Sequence, residues 1–147
     1  MTEQSAPATE ADVAEIAAAL PETELGTSWG DRPTWKVPAG PKGKGFLLYR
    51  SPRHDAVDPV TGQEYDDLIV IRTADAGDKQ ALVDDPESPF FTIDHFRNHH
   101  AVLVQAARLG EITRAELAEV ITEAWLAMAP PRLRKAFLAG SGPRAEA

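Results

Sequence analysis

One stretch of the sequence combines basic and aromatic side chains in a pattern that suits a phosphate-bearing ligand. Residues 29–54 carry six basic side chains and one acidic side chain, and the same stretch holds Trp29, Trp35 and Tyr49. Cationic side chains contact phosphates and aromatic rings stack on bases, and together they bind nucleic acid without reading its sequence. The candidate contacts are Trp29, Arg32, Trp35, Lys36, Lys42 and Lys44, with Arg97 later in the chain.

The same stretch also has a purely structural interpretation. Trp29 and Trp35 stand where loop and strand are expected to meet, and aromatic side chains at such junctions commonly pack into the core. Strand alternation puts Lys36 on the face opposite Trp35, so the ring and the charge need not act together. A solvated basic face therefore stays open beside nucleic-acid binding, and Trp35 stacks on a base only if its ring is exposed.

A second group of residues with possible chemistry is the cluster His95, His99 and His100. Imidazoles are common ligands for zinc and similar metals. The local sequence, however, indicates a loop entering a strand, in which His99 and His100 point to opposite sides, and Asp94 is the nearest carboxylate. We therefore predict hydrogen-bonded loop histidines and no metal or other cofactor, with an anion contact together with Arg97 as the alternative.

No arrangement of residues identifies a catalysed reaction. The chain has no cysteine, which excludes disulfides, thiolate zinc sites and thiol nucleophiles. Residues 40–45 resemble a phosphate-binding loop in composition only, because they lack a Lys-Ser or Lys-Thr ending and a following helix. We expect a binding module rather than an enzyme, although an active site assembled from distant residues stays open.

The charges of the chain are segregated along the sequence. The net charge of -8 argues against nucleic-acid binding by the protein surface as a whole. Residues 1–28 nevertheless carry six acidic and no basic side chains, and residues 55–96 carry eleven acidic and two basic ones, so the basic stretch lies between two acidic blocks. Any contact with nucleic acid is therefore local. The competing hypothesis is a protein–protein interaction domain with no nucleic-acid role.

The elements that position these residues follow from hydrophobic periodicity and from capping signals. Val13, Ile16, Ala17 and Leu20 lie on one face of a helix that begins after Thr9. Strands are predicted at 34–37, 46–50, 68–72 and 101–105, and residues 26–41 otherwise read as a loop. Further helices are predicted at 75–83, after the capping pair Thr113 and Glu116, and at 132–139.

This order predicts an α+β protein in which an antiparallel sheet of about four to six strands packs against the N- and C-terminal helices. We expect a disordered head at residues 1–8, a single domain at 9–140 and a flexible tail at 141–147. Residues 1–10 lack the features of a secretion signal, and no apolar run approaches the roughly 18 residues that span a membrane. We predict a cytoplasmic monomer without a membrane role.

Three stretches, in order, resemble the MmcQ/YjbR family. The first runs from Leu20-Pro21 through Trp29-Gly30 to Trp35, the second is the His-rich run 95–100 before the last predicted strand, and the third covers 117–133. The resemblance spans about residues 9–138 and implies a frataxin-like α+β fold. Members of this family are commonly labelled DNA-binding, a label that rests on fold analogy.

Related folds use an acidic ridge along the first helix to hold metal ions. The acidic residues at that place here are Glu10, Asp12, Glu15, Glu22 and Glu24. Exposed carboxylates bind hard cations only weakly unless several converge on one site. We therefore interpret these residues as solubilising side chains.

Overall fold

The protein is described here by a computed structural model that covers residues 5–28, 32–50, 56–93 and 96–140. The helices are α1 (Glu10–Ala19), α2 (Ala76–Asp84), α3 (Arg114–Met128) and α4 (Pro131–Gly140), with a 3₁₀ helix at Ala106–Glu111. The strands are β1 (Glu24–Ser28), β2 (Arg32–Val37), β3 (Lys44–Tyr49), β4 (Leu68–Arg72) and β5 (Ala101–Gln105). The predicted α+β class is confirmed, with helices at both ends of the chain.

The five strands form one antiparallel sheet in the order β1-β2-β3-β4-β5, so each strand pairs with its neighbour in sequence. Strands β4 and β5 have the predicted bounds. Strand β1 (Glu24–Ser28) was not predicted, and its last three residues belong to the stretch 26–41, whose Gly and Pro content indicates a loop. It pairs with β2 over five residues, from Glu24 opposite Lys36 to Ser28 opposite Arg32. This pairing, and not the local sequence, holds the segment in an extended conformation.

Helices α1 and α3 begin at capping boxes. Thr9 accepts a hydrogen bond from the Asp12 backbone N–H, and the Asp12 carboxylate accepts one from the Thr9 backbone N–H. Thr113 and Glu116 make the same reciprocal pair at the start of α3. Each box satisfies backbone donors that the first helical turn would otherwise leave without partners.

The main core lies between the sheet and helices α1 and α3. Helix α3 packs across β3 and β4, and α1 packs against α3. The largest fully buried side chains in this core are Phe46, Leu47, Ile69, Ile71, Leu117, Ile121 and Trp125. We call this side of the sheet the helix side.

The opposite side of the sheet, which we call the second face, is partly covered by chain segments that carry no long helix. Ala56, Phe96, Ala101, Leu103 and Val70 belong to a second buried cluster there. Phe91 exchanges two backbone hydrogen bonds with Leu103 and so fixes residues 86–93 beside β5. Leu48 packs against the same cluster, so the cover extends from β5 to β3.

The N-terminal segment packs more closely than predicted. Ala8 is buried, and its backbone N–H donates to the Ile112 carbonyl oxygen at 2.9 Å. The Arg114 N–H donates to the Ala6 carbonyl oxygen at 2.9 Å, and Pro7 forms a bridge with Thr113. Residues 6–8, which the sequence placed in a disordered head, are therefore bound to the start of α3. The predicted tail at 141–147 lies outside the described residues.

Candidate nucleic-acid interface

The alternation of β2 divides its side chains between the two faces of the sheet. Trp35 and Val37 point to the helix side and belong to the main core. Arg32, Thr34 and Lys36 therefore point to the second face. The prediction that Lys36 lies opposite Trp35 is confirmed by this arrangement.

Glycines on the second face let neighbouring side chains lie flat against the sheet. A Cβ atom at Gly45 would lie 2.8 Å from the Thr34 Cγ2 atom, a distance that Cβ atoms do not tolerate. A Cβ atom at Gly26 would lie 3.4 Å from the Cε atom of Lys36, so the lysine stem crosses β1 over this glycine. On this face Thr34 is 1% exposed and Arg32 is 9% exposed, so most of β2 is covered and Lys36 is its half-buried cation.

A cavity of about 170 Å³ lies on this face between β3, β4 and the turn that precedes β5. Its apolar lining includes Leu48, Val70, Phe96 and Ala101. Its polar side chains are Thr34, Arg72 and His99. Among the lining residues that the structure describes, none carries a carboxylate.

Cations collect on the second face. Lys36 is half-buried and is the register partner of Gly45, which lines the cavity. Within the described part of the chain, neither Lys36 nor the half-buried Arg72 forms an ion pair. Arg50 is buried on the same face and its guanidinium carbon lies 5.4 Å from the centre of the Phe96 ring, within the range of a cation–π interaction. Of these cations, Lys36 and Arg72 therefore carry positive charge available to an anion.

The turn that carries His99 is fixed by a buried lysine. The Lys79 ammonium donates to the carbonyl oxygens of Phe96 at 2.6 Å, Arg97 at 3.3 Å and His99 at 2.7 Å. Burial lowers the pKa of Lys79 below its ordinary value, while the three carbonyl oxygens favour the charged ammonium. His99 itself is exposed, and its ring meets the Phe96 ring edge-on with centres 5.6 Å apart. A rigid turn thus presents an exposed imidazole at the edge of the cavity.

The structure corrects the proposed role of Trp35. The indole is 8% exposed, and its Nε1–H donates to the Tyr49 hydroxyl oxygen at 3.2 Å on the helix side. A ring held there cannot stack on a base. Arg32 is also buried, at 9% exposure, so it offers little surface for direct contact with a ligand.

The other predicted contacts are distributed around this face. Lys44 pairs with Val37 and so leaves the sheet on the helix side, and Lys42 lies exposed in the turn before β3. Arg97 is exposed in the turn that Lys79 fixes. Trp29 and His95 lie outside the described residues, and His100 is exposed without lining the cavity.

Sequence reasoning missed Arg72 as a site residue. It stands at the end of an apolar strand, Leu68–Arg72, and 36 positions separate it from Lys36 in the chain. Only the β2-β3-β4 meander brings the two cations to one face. The available signal was a single charged residue closing an otherwise apolar strand.

Four of the five acidic residues in and just after α1 have hydrogen-bond partners in the fold. Their partners are Arg114 for Asp12 and Glu15, Arg132 for Glu22, and the backbone N–H of Gly40 for Glu24. In the described ranges, no three His, Asp or Glu side chains lie close enough together to hold a metal ion. Among the helices of the described residues, none is both long enough and apolar enough to cross a membrane.

Comparison with known proteins gives a family but no activity. Uncharacterized proteins of Mycobacterium bovis and of two strains of Mycobacterium tuberculosis are each 49% identical to this chain over 76 residues. That stretch is 52% of this chain and 57% of each relative, so the match spans little more than half the length of those proteins. No solved structure matches the chain. The YjbR family profile matches residues 18–127, and the chain therefore belongs to the MmcQ/YjbR family.

Proposed function

We propose that this protein is a non-enzymatic module that binds single-stranded nucleic acid on the second face of its sheet. The observation that carries the proposal is the position of Lys36 and Arg72. These two cations have no ion-pair partner among the described residues and lie beside a cavity whose described lining lacks a carboxylate. An anionic ligand supplies the missing charge.

The size of the cavity favours one group of a long ligand over a complete small molecule. Pockets that enclose a small-molecule ligand measure roughly 300–1,000 Å³. The cavity on the second face, about 170 Å³, is smaller than that range. A polymer places one base or sugar in the cavity and continues past Lys36, whose ammonium meets a phosphate.

His99 is the aromatic group that takes the place of Trp35 in this proposal. Its imidazole is exposed, lines the cavity and rests on Phe96. Aromatic and histidine rings stack on unpaired bases, which a duplex does not expose. The combination of a stacking ring with phosphate-binding cations therefore favours a single strand.

Two of the remaining basic side chains contact phosphates farther along the strand: Lys42, exposed in the turn before β3, and Arg97, in the His99 turn. Lys44, which leaves the sheet on the helix side, takes no part in this contact. Trp29, at the start of the basic stretch, remains a predicted contact. The overall charge of -8 limits the interaction to this face, because acidic surface elsewhere repels phosphate.

The test is a fluorescence-anisotropy titration with a labelled single-stranded DNA oligonucleotide and with its duplex at several salt concentrations. We expect the single strand to bind more tightly than the duplex, and the affinity to fall as salt rises. Lys36→Ala combined with Arg72→Ala should weaken binding. It should also reduce the slope of log K against log salt by roughly 1.4, because each phosphate contact to a single strand contributes about 0.7 to that slope and the variant loses two contacts.

Two control variants distinguish binding at the second face from a general effect of the protein's charge. Arg108→Ala with Lys135→Ala removes one arginine and one lysine from exposed positions off the face and should leave the salt slope unchanged. His99→Ala should weaken binding by about 1–3 kcal/mol, the value of one stacked base, whereas His100→Ala should have little effect. No binding of the wild type at low salt would end the nucleic-acid proposal.

An equal loss in both double-charge variants would instead show that the second face is not the site. In that case a protein–protein interaction domain without a nucleic-acid role becomes the better proposal. A protein partner would also show a weaker dependence on salt than a polyphosphate does.

A further inference from the structure

A groove runs between α2 and α3 on the helix side of the molecule. One end is a cavity of about 320 Å³ whose apolar lining includes Ala81, Leu82 and Val120. A second cavity of about 350 Å³ shares Leu82 and Val120 and adds Phe90 and Ile112. Because the two cavities share these residues, they lie side by side along α2 and α3, and we call the pair the groove.

The rim of the groove is strongly acidic. Its carboxylates are Asp78, Asp85, Glu87, Glu111, Glu116, Glu119 and Glu123, and its one cation among the described residues is Arg72. Glu111 is already paired with Arg108, and Glu116 is the capping residue of α3. Within the described ranges, the other five form no ion pair.

Hydrogen bonds and core packing hold both walls of the groove in place. Asp75 caps α2 by accepting a hydrogen bond from the Asp78 N–H at 2.8 Å, and Lys79 fastens the same helix to the turn before β5. Helix α3 is held by its own capping box and by the core. The groove is therefore a preformed surface and does not require the helices to move apart.

We propose that this groove binds a basic amphipathic helical segment of a partner protein. An amphipathic helix places apolar side chains at i, i+3 and i+4 against such an apolar lining, and Lys or Arg on its flanks meets the acidic rim. Seven carboxylates against one arginine repel an acidic or phosphate-bearing occupant.

This proposal is independent of nucleic-acid binding. Lys36 and the His99 cavity lie on the second face, whereas Glu119 and Val120 belong to α3 on the helix side. Arg72 is the one residue that lines cavities on both sides. The two surfaces have opposite charge, so their ligands differ in kind.

The experiment uses a fluorescein-labelled 14-residue peptide of leucine and lysine in helical i, i+3, i+4 spacing. Its anisotropy is measured against the full chain at low and moderate salt. We expect saturable binding that weakens at least tenfold in Glu119→Lys combined with Glu123→Lys. These two glutamates are exposed and one helical turn apart, so the substitution should leave the fold intact, as circular dichroism and thermal unfolding would verify.

Three controls make the result specific. Glu64→Lys with Asp66→Lys makes the same change of charge at exposed positions away from the groove and should bind the peptide as the wild type does. Ala81→Gln narrows the groove without altering its charge and should weaken binding. A peptide of the same composition with alternating leucine and lysine should bind at least tenfold less tightly, because its apolar side chains do not share a helical face.

Several outcomes would overturn the proposal. They are the absence of saturable binding at low salt, an equal loss in both double-lysine variants, and equal affinity for the helical and alternating peptides. Sedimentation of the chain alone as a dimer that Glu119→Lys with Glu123→Lys dissociates would assign the groove to a second copy instead.

Discussion

Lys79 donates a hydrogen bond from its buried ammonium to the carbonyl oxygen of His99 at 2.7 Å, which joins α2 to the residue at the edge of the second-face cavity. The same ammonium also reaches two more carbonyl oxygens of this turn. A charge held by three carbonyl groups orders the turn without a carboxylate partner. The position of the His99 ring therefore depends on a lysine that is itself inaccessible to ligand.

Replacing Lys79 by Met tests this dependence. The variant retains the aliphatic stem but leaves the carbonyl oxygens of the turn without their donor, so we expect a loss of about 1.5–3 kcal/mol in the free energy of unfolding by urea. Hydrogen exchange should accelerate at the His99 and Ala101 amides, which are bonded within this turn. Lys135→Met, at an exposed site on α4, should stay within about 0.5 kcal/mol of the wild type. Unchanged exchange in Lys79→Met would contradict the assigned role.

Gly45→Ala should destabilise the protein because the new methyl group meets the Thr34 Cγ2 atom at 2.8 Å. Overpacking of this kind costs about 1–3 kcal/mol. Thr34→Ser removes that Cγ2 atom and keeps the hydroxyl that donates to the Arg32 carbonyl oxygen at 3.0 Å. The double variant should therefore be more stable than the sum of the two single changes, by about 1 kcal/mol in a double-mutant cycle. Strict additivity would show that the methyl group is accommodated elsewhere.

The elements that the sequence predicted best are those whose signal is local. β4 and β5 have continuous apolar runs, and the capping boxes at Thr9 and Thr113 mark the helix starts by side chain and spacing alone. β1 has no such signal, because Leu25 is 53% exposed and the strand contains glycine. Its extended conformation comes from pairing with β2, a partner that the sequence of β1 does not specify.

The candidate site shows the same division between local and tertiary information. The placement of Lys36 opposite Trp35 followed from strand alternation. Strand alternation could not predict whether Trp35 is buried or exposed, because its burial depends on which face of the sheet α1 and α3 cover. The meeting of Lys36 with Arg72 and His99 requires the order of four strands and the turn that Lys79 fixes.

Burial of two indoles predicts the fluorescence of a Trp29→Phe variant. Its remaining tryptophans are Trp35, at 8% exposure, and Trp125, which is fully buried and donates to the Pro21 carbonyl oxygen at 3.0 Å. We expect emission that is blue-shifted relative to the unfolded chain and weakly quenched by acrylamide. Saturating single-stranded DNA should leave it nearly unchanged, since Trp35 lies on the helix side. Strong quenching by DNA would show that Trp35 lies at the nucleic-acid interface after all.

The contact between Asp12 and Arg114 joins the first helix to the third across 102 positions of sequence and predicts how stability depends on pH. The Arg114 guanidinium donates to Asp12 at 2.6 Å, and both side chains are less than a fifth exposed. Desolvation raises the pKa of Asp12, but hydrogen bonds from the Thr9 backbone, from Arg114 and from the Thr9 hydroxyl together hold it below the ordinary value of 3.8. A carboxyl whose pKa is lower when folded than when unfolded adds stability above the unfolded pKa, and that stability is lost as pH falls through the folded pKa.

Asp12→Asn should therefore lose about 1.5–3 kcal/mol at pH 7, the range for hydrogen bonds to a charged group. The difference from the wild type should narrow as the pH falls below about 4, because the wild-type carboxyl then takes up its proton. Glu15→Gln is the matched control, since Glu15 contacts the same guanidinium at 3.2 Å but its side chain is 66% exposed, and it should lose less than about 1 kcal/mol. Urea unfolding from pH 2 to 7 measures all three proteins. A deficit in Asp12→Asn that stays constant down to pH 2 would mean that the carboxylate charge does not stabilise the contact between α1 and α3.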